Sequence, residues 1–141
     1  MRRRLFAFIL ILGIPVLTVG VAAPVNAQTT PTIDITSATL VAKGAAVDVD
    51  VTITCDVSTF AGGVSVTVTQ RSGNVVMEGS GSVSPLNSCT GEPQIVTVPV
   101  LAQAGGRPFK IGEAVATGHL SACTPLGCDF VNTTQTIRIT R

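Results

Sequence analysis

Between Ala46 and Cys55 every second residue is apolar: Val47, Val49, Val51, Ile53 and Cys55 alternate with Asp48, Asp50, Thr52 and Thr54. A period of two predicts a β-strand with one buried and one wet face, because successive side chains leave a strand on opposite sides. The alternation returns at Val64, Val66 and Val68 against Ser65, Thr67 and Thr69. Ser72-Gly73-Asn74 then marks a turn, after which Val75 to Glu78 runs back as a hairpin partner. Ile33 to Val41 predicts a first strand, irregular near Ser37 and closed by a turn at Lys43-Gly44. Ile95 to Leu101 predicts a strand that Pro99 confines to an edge or a bulge. Ile111 to Ala122 is a strand of small residues. Phe130 to Thr140 is the last strand, with Val131, Thr133, Gln135, Ile137 and Ile139 on one face and Arg138 on the other. Gly79 to Glu92, rich in Gly, Ser and Pro, predicts a long connection in which only Val83 adds to a strand.

No window carries a useful helical period, and no repeat of solenoid or propeller length is present. Short strands separated by turn residues predict an all-β fold. The expected architecture is a single immunoglobulin-like antiparallel β-sandwich of about seven strands over residues 32–141.

The N-terminus changes the picture most. Arg2-Arg3-Arg4 is followed by an apolar run from Leu5 to Ala23, and Val25-Asn26-Ala27 stands before Gln28. That is the layout of a secretory signal peptide over residues 1–27. The strongly hydrophobic stretch from Leu5 to Leu12 fits general secretory export better than the twin-arginine route. A retained membrane anchor is the alternative, since 19 apolar residues just span a hydrocarbon core; Pro15, Pro24 and the cleavage triplet argue against it. No cysteine stands near the junction, which excludes a lipid anchor on a new N-terminal cysteine. Residues 28–31 read as a flexible lead, and the style of the signal points to a bacterial source. The expected location is secreted or extracellular, including association with the cell surface.

Removing the signal takes three of the nine basic residues and leaves six against eight acidic ones. Arg107 and Lys110 are then the nearest approach to a basic run, so neither nucleic acid nor an anionic membrane surface finds its clustered cations. The signal also removes two of the five phenylalanines, leaving Phe60, Phe109 and Phe130 with no Trp or Tyr. A core of Val, Ile and Ala buries modest area per side chain, so covalent staples are expected.

Four cysteines in an exported chain read as two structural disulfides among Cys55, Cys89, Cys123 and Cys128. The favoured pairing joins Cys55 to Cys89 and Cys123 to Cys128, because Thr124-Pro125-Leu126-Gly127 forms a short loop that brings two strand ends together. The alternative joins Cys55 to Cys123 and Cys89 to Cys128, at the separation of an immunoglobulin inter-sheet bridge. In the favoured pairing, chain entropy stabilises the fold by about 4 kcal/mol for the larger loop and about 2 for the smaller. Zinc and redox roles lack the CxxC spacing and the histidine partners they require.

Candidate chemistry is sparse. His119 is the only histidine, and Ser121 and Asp129 stand near it, but no GxSxG elbow accompanies them. Asp48 and Asp50 lie two apart on one strand face, which suits solubility better than a glycosidase pair. With Asp34 or Asp56 they lack the loop spacing of a calcium site. Asn132-Thr133-Thr134 fits a glycosylation acceptor that is relevant only in a eukaryotic source. The absence of Trp and Tyr weighs against carbohydrate binding.

Thr52-Ile53-Thr54-Cys55 at a strand end, Asn87-Ser88-Cys89-Thr90-Gly91 in a loop, Gly112 to Ala116 on a later strand, and the Cys123/Cys128 corner resemble small secreted actinobacterial proteins of unknown function. That resemblance implies an immunoglobulin-like fold and no activity. The mature length, the two disulfides and the short Cys123-to-Cys128 loop also resemble neocarzinostatin-type apoproteins, secreted seven-stranded carriers of an enediyne chromophore. The chain departs from them in its widely separated Cys55 and Cys89 and in lacking their aromatic cleft residues, so no binding residue carries over.

The expected function is that of a secreted, non-enzymatic binding module for an unidentified protein or a cell-envelope component, acting through loops or an edge strand. The alternative is a carrier of a small apolar ligand in a cleft between sheets. No catalytic residue, metal, cofactor, nucleic acid or membrane insertion after signal removal enters either reading.

Overall fold

The computed structural model describes residues 29–86 and 89–141. Residues 1–27, expected to be a signal peptide, Gln28 at the head of the expected lead, and Asn87 and Ser88 of the loop motif lie outside the described residues. Seven strands follow one another: β1 Thr32–Val41, β2 Ala46–Thr54, β3 Ala61–Ser72, β4 Val75–Val83, β5 Gln94–Ala102, β6 Gly112–Thr124 and β7 Gly127–Thr140. A single 3-10 turn, Ala42–Gly44, joins the first two. No helix among the described residues is long and apolar enough to cross a membrane.

Hydrogen bonding runs around one closed circuit, β1-β2-β5-β4-β3-β6-β7, rather than in two separate sheets. The circuit is uneven. Long antiparallel ladders build two arcs, β1-β2-β5 and β4-β3-β6-β7. Two short seams join the arcs. At one, β4 meets β5 only at Gly79↔Ala102 and Ser80↔Leu101; at the other, β1 meets β7 in parallel only at Ala38↔Ile139 and Thr39↔Thr140. The irregularity expected near Ser37 is a register shift between Ile35 and Ser37.

The connection expected over residues 79–92 is corrected in its first part. β4 continues through Gly79-Ser80-Gly81-Ser82 to Val83, in register with β3 from Val68 to Val64. Two things concealed this strand: its backbone supplies the pairing, and its glycines answer a steric demand. A Cβ on Gly79 would stand 2.3 Å from the Leu101 carbonyl oxygen, and one on Gly81 would stand 2.1 Å from that of Pro99. The seam therefore closes only because β4 has no side chain where it passes over β5. β3 likewise starts earlier than expected, at Ala61, because Gly62 and Gly63 pair with Ala122 and Ser121 of β6.

The inward set of the alternation fills the barrel. Val47, Val49, Val51 and Ile53 of β2 meet Val64, Val66 and Val68 of β3, with Val98 and Val100 of β5, Leu120 of β6 and Ile139 of β7 in the same buried cluster. Small residues on β6 leave room for this packing; a Cβ on Gly118 would stand 3.0 Å from Cδ1 of Ile33.

One end is plugged by Phe109, which lies outside any strand yet is only 2% exposed. Its N–H donates to the Gly44 carbonyl at 2.8 Å. Gly44, at φ +91°, must be glycine, since a Cβ there would stand 2.3 Å from the Phe109 oxygen. Buried Gln70 secures the same segment. Its Nε2 donates to the Lys110 carbonyl at 2.8 Å, and its Oε1 accepts the Lys110 N–H at 2.8 Å.

At the opposite end, Cys55 bonds Cys89 and Cys123 bonds Cys128. The first bridge ties Cys89, ahead of β5, to the end of β2, beside the Gly91 N–H to Cys55 carbonyl bond of 3.1 Å. The second closes the β6–β7 hairpin at a directly opposed pair.

Truncating the plug tests this account. Phe109→Ala is expected to cost about 3–5 kcal/mol, because it removes a fully buried ring and leaves a cavity. Urea unfolding followed by circular dichroism should show the midpoint falling with the slope unchanged. A loss under about 1 kcal/mol would mean that Phe109 does not close the core.

Candidate functional site

The β6–β7 hairpin is the longest ladder, paired from Gly112↔Ile139 to Thr124↔Gly127. Its loop is only Pro125-Leu126, with Gly127 at φ +150°. The Thr124 hydroxyl accepts the Leu126 N–H at 3.3 Å and donates to the Gly127 carbonyl at 3.4 Å, so the turn is internally bonded next to its disulfide. On this rigid tip Leu126 is 84% exposed and Phe130 74%. Phe60, 72% exposed, joins them at the same end, its N–H bonded to the Cys123 carbonyl at 3.0 Å. Hydrophobic side chains held outward by covalent and hydrogen-bonded structure cannot fold back to bury themselves.

Strand register explains what surrounds Phe130. It faces outward opposite Ser121, which is itself opposite Gly63. In the next row, Ser82, Ser65, His119 and Asn132 stand side by side across β4, β3, β6 and β7. The row after that is Ser80, Thr67, Thr117 and Thr134. Because the residues beside Phe130 are small, the ring stands above its neighbours as one wall of an open groove of about 620 Å³.

Within the groove, His119 Nδ1 pairs with Asn132 Oδ1. The Thr117 and Thr134 hydroxyls lie 3.2 Å apart. A second groove of about 600 Å³ lies on the other side of Phe130, between the hairpin tip and Thr29-Thr30-Pro31. Phe130 is thus the ridge between two depressions. Both open on the outside of the barrel, whose interior is occupied by the core cluster.

Asp56 shapes the entry to the second groove. One of its oxygens accepts the Thr29 N–H at 2.9 Å, the other the Ser58 N–H at 2.8 Å and the Ser58 hydroxyl at 2.6 Å. Of the lead expected to be flexible, Thr29 is therefore tethered and Pro31 is buried. Hydrogen bonds from Ser58 chiefly, and from Thr29, hold the Asp56 carboxyl below the ordinary carboxylate range. Asp50, on the outer face of β2, is likewise held down by the hydroxyl of Thr97 first and that of Ser37 second.

The remaining chemistry-bearing residues are dispersed. His119 and Ser121 share the outer face of β6, but Asp129 is opposite Ala122, on the other side of the hairpin, so the three do not assemble. Ser121 donates instead to the Gly63 carbonyl at 3.4 Å. Asp34 is engaged by Gln135, while Asp50 is engaged by Ser37 and Thr97 and Asp56 by Thr29 and Ser58. No three His, Cys, Asp or Glu residues among those described gather where they would hold a metal ion. Phe130 and the Ser/Thr rows were not singled out in the sequence. Their one signal was the polar half of each strand's alternation, which identifies an outer face but not which outer faces adjoin.

No family model matches the chain, and no curated protein matches it. Among solved structures it is similar to AggA, the major subunit of aggregative adherence fimbriae type I (AAF/I) from Escherichia coli. The identity is 16% and the TM-score 0.39, over 81% of this chain and 97% of that one. A likeness at that score supports no functional argument.

The two depressed carboxyls predict how stability follows pH. Each has a folded pKa below its unfolded value, so the folded state binds fewer protons. Their stabilisation is complete above the unfolded pKa and is lost as pH falls toward the folded one. Thermal melts should be flat from neutral pH down to about 5 and decline below about 4. Asp50→Asn should lower the plateau and flatten the decline. An unchanged acid limb in that variant would show that Asp50 is not one of its sources.

Proposed function

We propose that this chain is an exported, non-enzymatic immunoglobulin-like domain that binds a protein or cell-envelope component through its Phe130 end. The observation that carries the reading is the set of Phe60, Leu126 and Phe130, projecting from a tip stapled by Cys123–Cys128. Rigid, exposed aromatic and aliphatic side chains are what interface anchors are made of, because their burial in a partner costs little ordering entropy. The immunoglobulin-like part rests on strand order. The arcs β1-β2-β5 and β4-β3-β6-β7 follow the A-B-E and C-F-G orders of that fold, with β4 paired to β3 where a C′ strand would stand, in line with the secreted actinobacterial proteins that the sequence resembles. Export is supported by the two closed disulfides, which require an oxidising compartment, and by the N-terminal segment.

The test is retention of envelope components on immobilised mature domain, comparing wild type with Leu126→Ser/Phe130→Ser. Loss of two anchors should weaken retention by about 2 kcal/mol or more, roughly thirtyfold. Unfolding stability should stay within about 0.5 kcal/mol, because both side chains are already in water. Equal retention by both proteins, or none by wild type, would overturn the proposal.

A further inference from the structure

From the outer face of β4-β3-β6-β7 we infer a binding site for a neutral carbohydrate chain, with Phe130 as its stacking platform. This rests on the binding-module reading and names its ligand.

Charge on this face favours an uncharged ligand. The three rows nearest Phe130 contain no ionisable group except His119, which is paired with Asn132. Charged residues begin only beyond them, with Glu78, then Arg71, Glu113 and Arg138 toward the far end of the same face. An anionic ligand would find no cation here, and a cation no carboxylate, so the groove matches an uncharged partner.

Hydrogen-bonding capacity stands unused on the same face. The hydroxyls of Ser65, Ser80, Ser82 and Thr67 bond to no other protein group among the described residues. The His119–Asn132 contact uses one ring nitrogen and the amide oxygen, which leaves Nε2 and the Asn132 NH₂ for a ligand. Rows about 6.8 Å apart on strands about 4.8 Å apart make a regular lattice of donors and acceptors.

Shape points the same way. Small residues at Gly63, Ser65, Ser82 and Ser121 keep the floor low beside an exposed ring. A floor of hydroxyls beside one apolar wall suits a ligand that is polar at its rim and apolar on its face, the character of a sugar ring. A peptide adding to the sheet is disfavoured, because this surface offers side chains and not an unpaired strand edge. The chain has no Trp or Tyr; Phe130 provides the platform they would otherwise supply.

The test is an amide-shift titration of the mature domain with neutral hexasaccharides: β-1,4-glucose, α-1,4-glucose, β-1,4-N-acetylglucosamine and α-1,6-mannose. At least one should give saturable shifts at Ser65, Ser82, His119, Ser121 and Asn132, with a Kd of about 1 mM or tighter. Phe130→Ala and Asn132→Ala should each weaken it about tenfold or more, while Ile95→Ser, at an exposed position on β5 away from this face, leaves it unchanged. No saturable shift with any of the four, or shifts that Phe130→Ala leaves intact, would overturn the inference.

Periodate oxidation of the envelope fraction separates the two readings. Retention that periodate abolishes supports the carbohydrate site. Retention that survives it keeps the binding module and removes the carbohydrate. No retention even before oxidation removes the module itself.

Discussion

The barrel depends on one close approach, the passage of β4 over β5. Most other contacts are ordinary ladders between strands whose side chains alternate, but here two backbones come closer than any side chain permits, more tightly than where Gly62 of β3 passes the Ser121 carbonyl of β6. Gly79 and Gly81 sit where a Cβ would enter the carbonyl oxygens of Leu101 and Pro99. Pro99, which cannot donate to a ladder, lies where pairing between β4 and β5 has already ended. If this seam opened, Met77 of β4 and Val98 and Val100 of β5 would lose their cover, because all three lie in the cluster beneath it. The two arcs would then be joined only by the β1–β7 seam and the core between them.

The same economy of side chains produces the outer surface. Gly63 and Ser121 are small on the wet face, and Ala114, Ala116 and Gly118 are small on the dry face of β6. A strand thin on both sides lets Ile33 pack from within and leaves Phe130 uncovered from without. The packing of β6 and the candidate site are therefore consequences of one feature, the small residues of β3 and β6. The Cys123–Cys128 staple acts on the same strands, holding the hairpin tip so that Phe130, two residues beyond the bridge, keeps a defined direction.

Much of the fold was legible in the chain. Five strands announced themselves by alternation of Val or Ile with Thr, Ser or Asp, because burying one face of a pleated strand demands that period. The Ser37 irregularity and the Ser72–Asn74 turn were legible for similar local reasons. The second half of β4 was not, since Gly-Ser-Gly-Ser carries no apolar period and its strand character comes from pairing with β3. Phe109 was readable as one of three phenylalanines beyond residue 27 but not as a plug, because its burial depends on Gly44, sixty-five residues earlier. Gln70 stands inside a clean alternation at an inward position, where an apolar residue would be expected. It is polar because it satisfies the backbone of Lys110.

By itself, then, the sequence determined that this is an all-β chain with inward and outward residues already sorted and with two disulfides, and its N-terminal pattern set the expectation of export. Those properties follow from local periodicity, residue chemistry and compartment, none of which needs a fold. Only the tertiary structure decided that the strands close into one circuit, which face adjoins which, and that Phe130 overlooks rows of uncharged hydroxyls. The physical reason is that a candidate site on a sheet is written across strands. Ser82, Ser65, His119 and Asn132 are neighbours only through register, and register is a property of the assembled ladder.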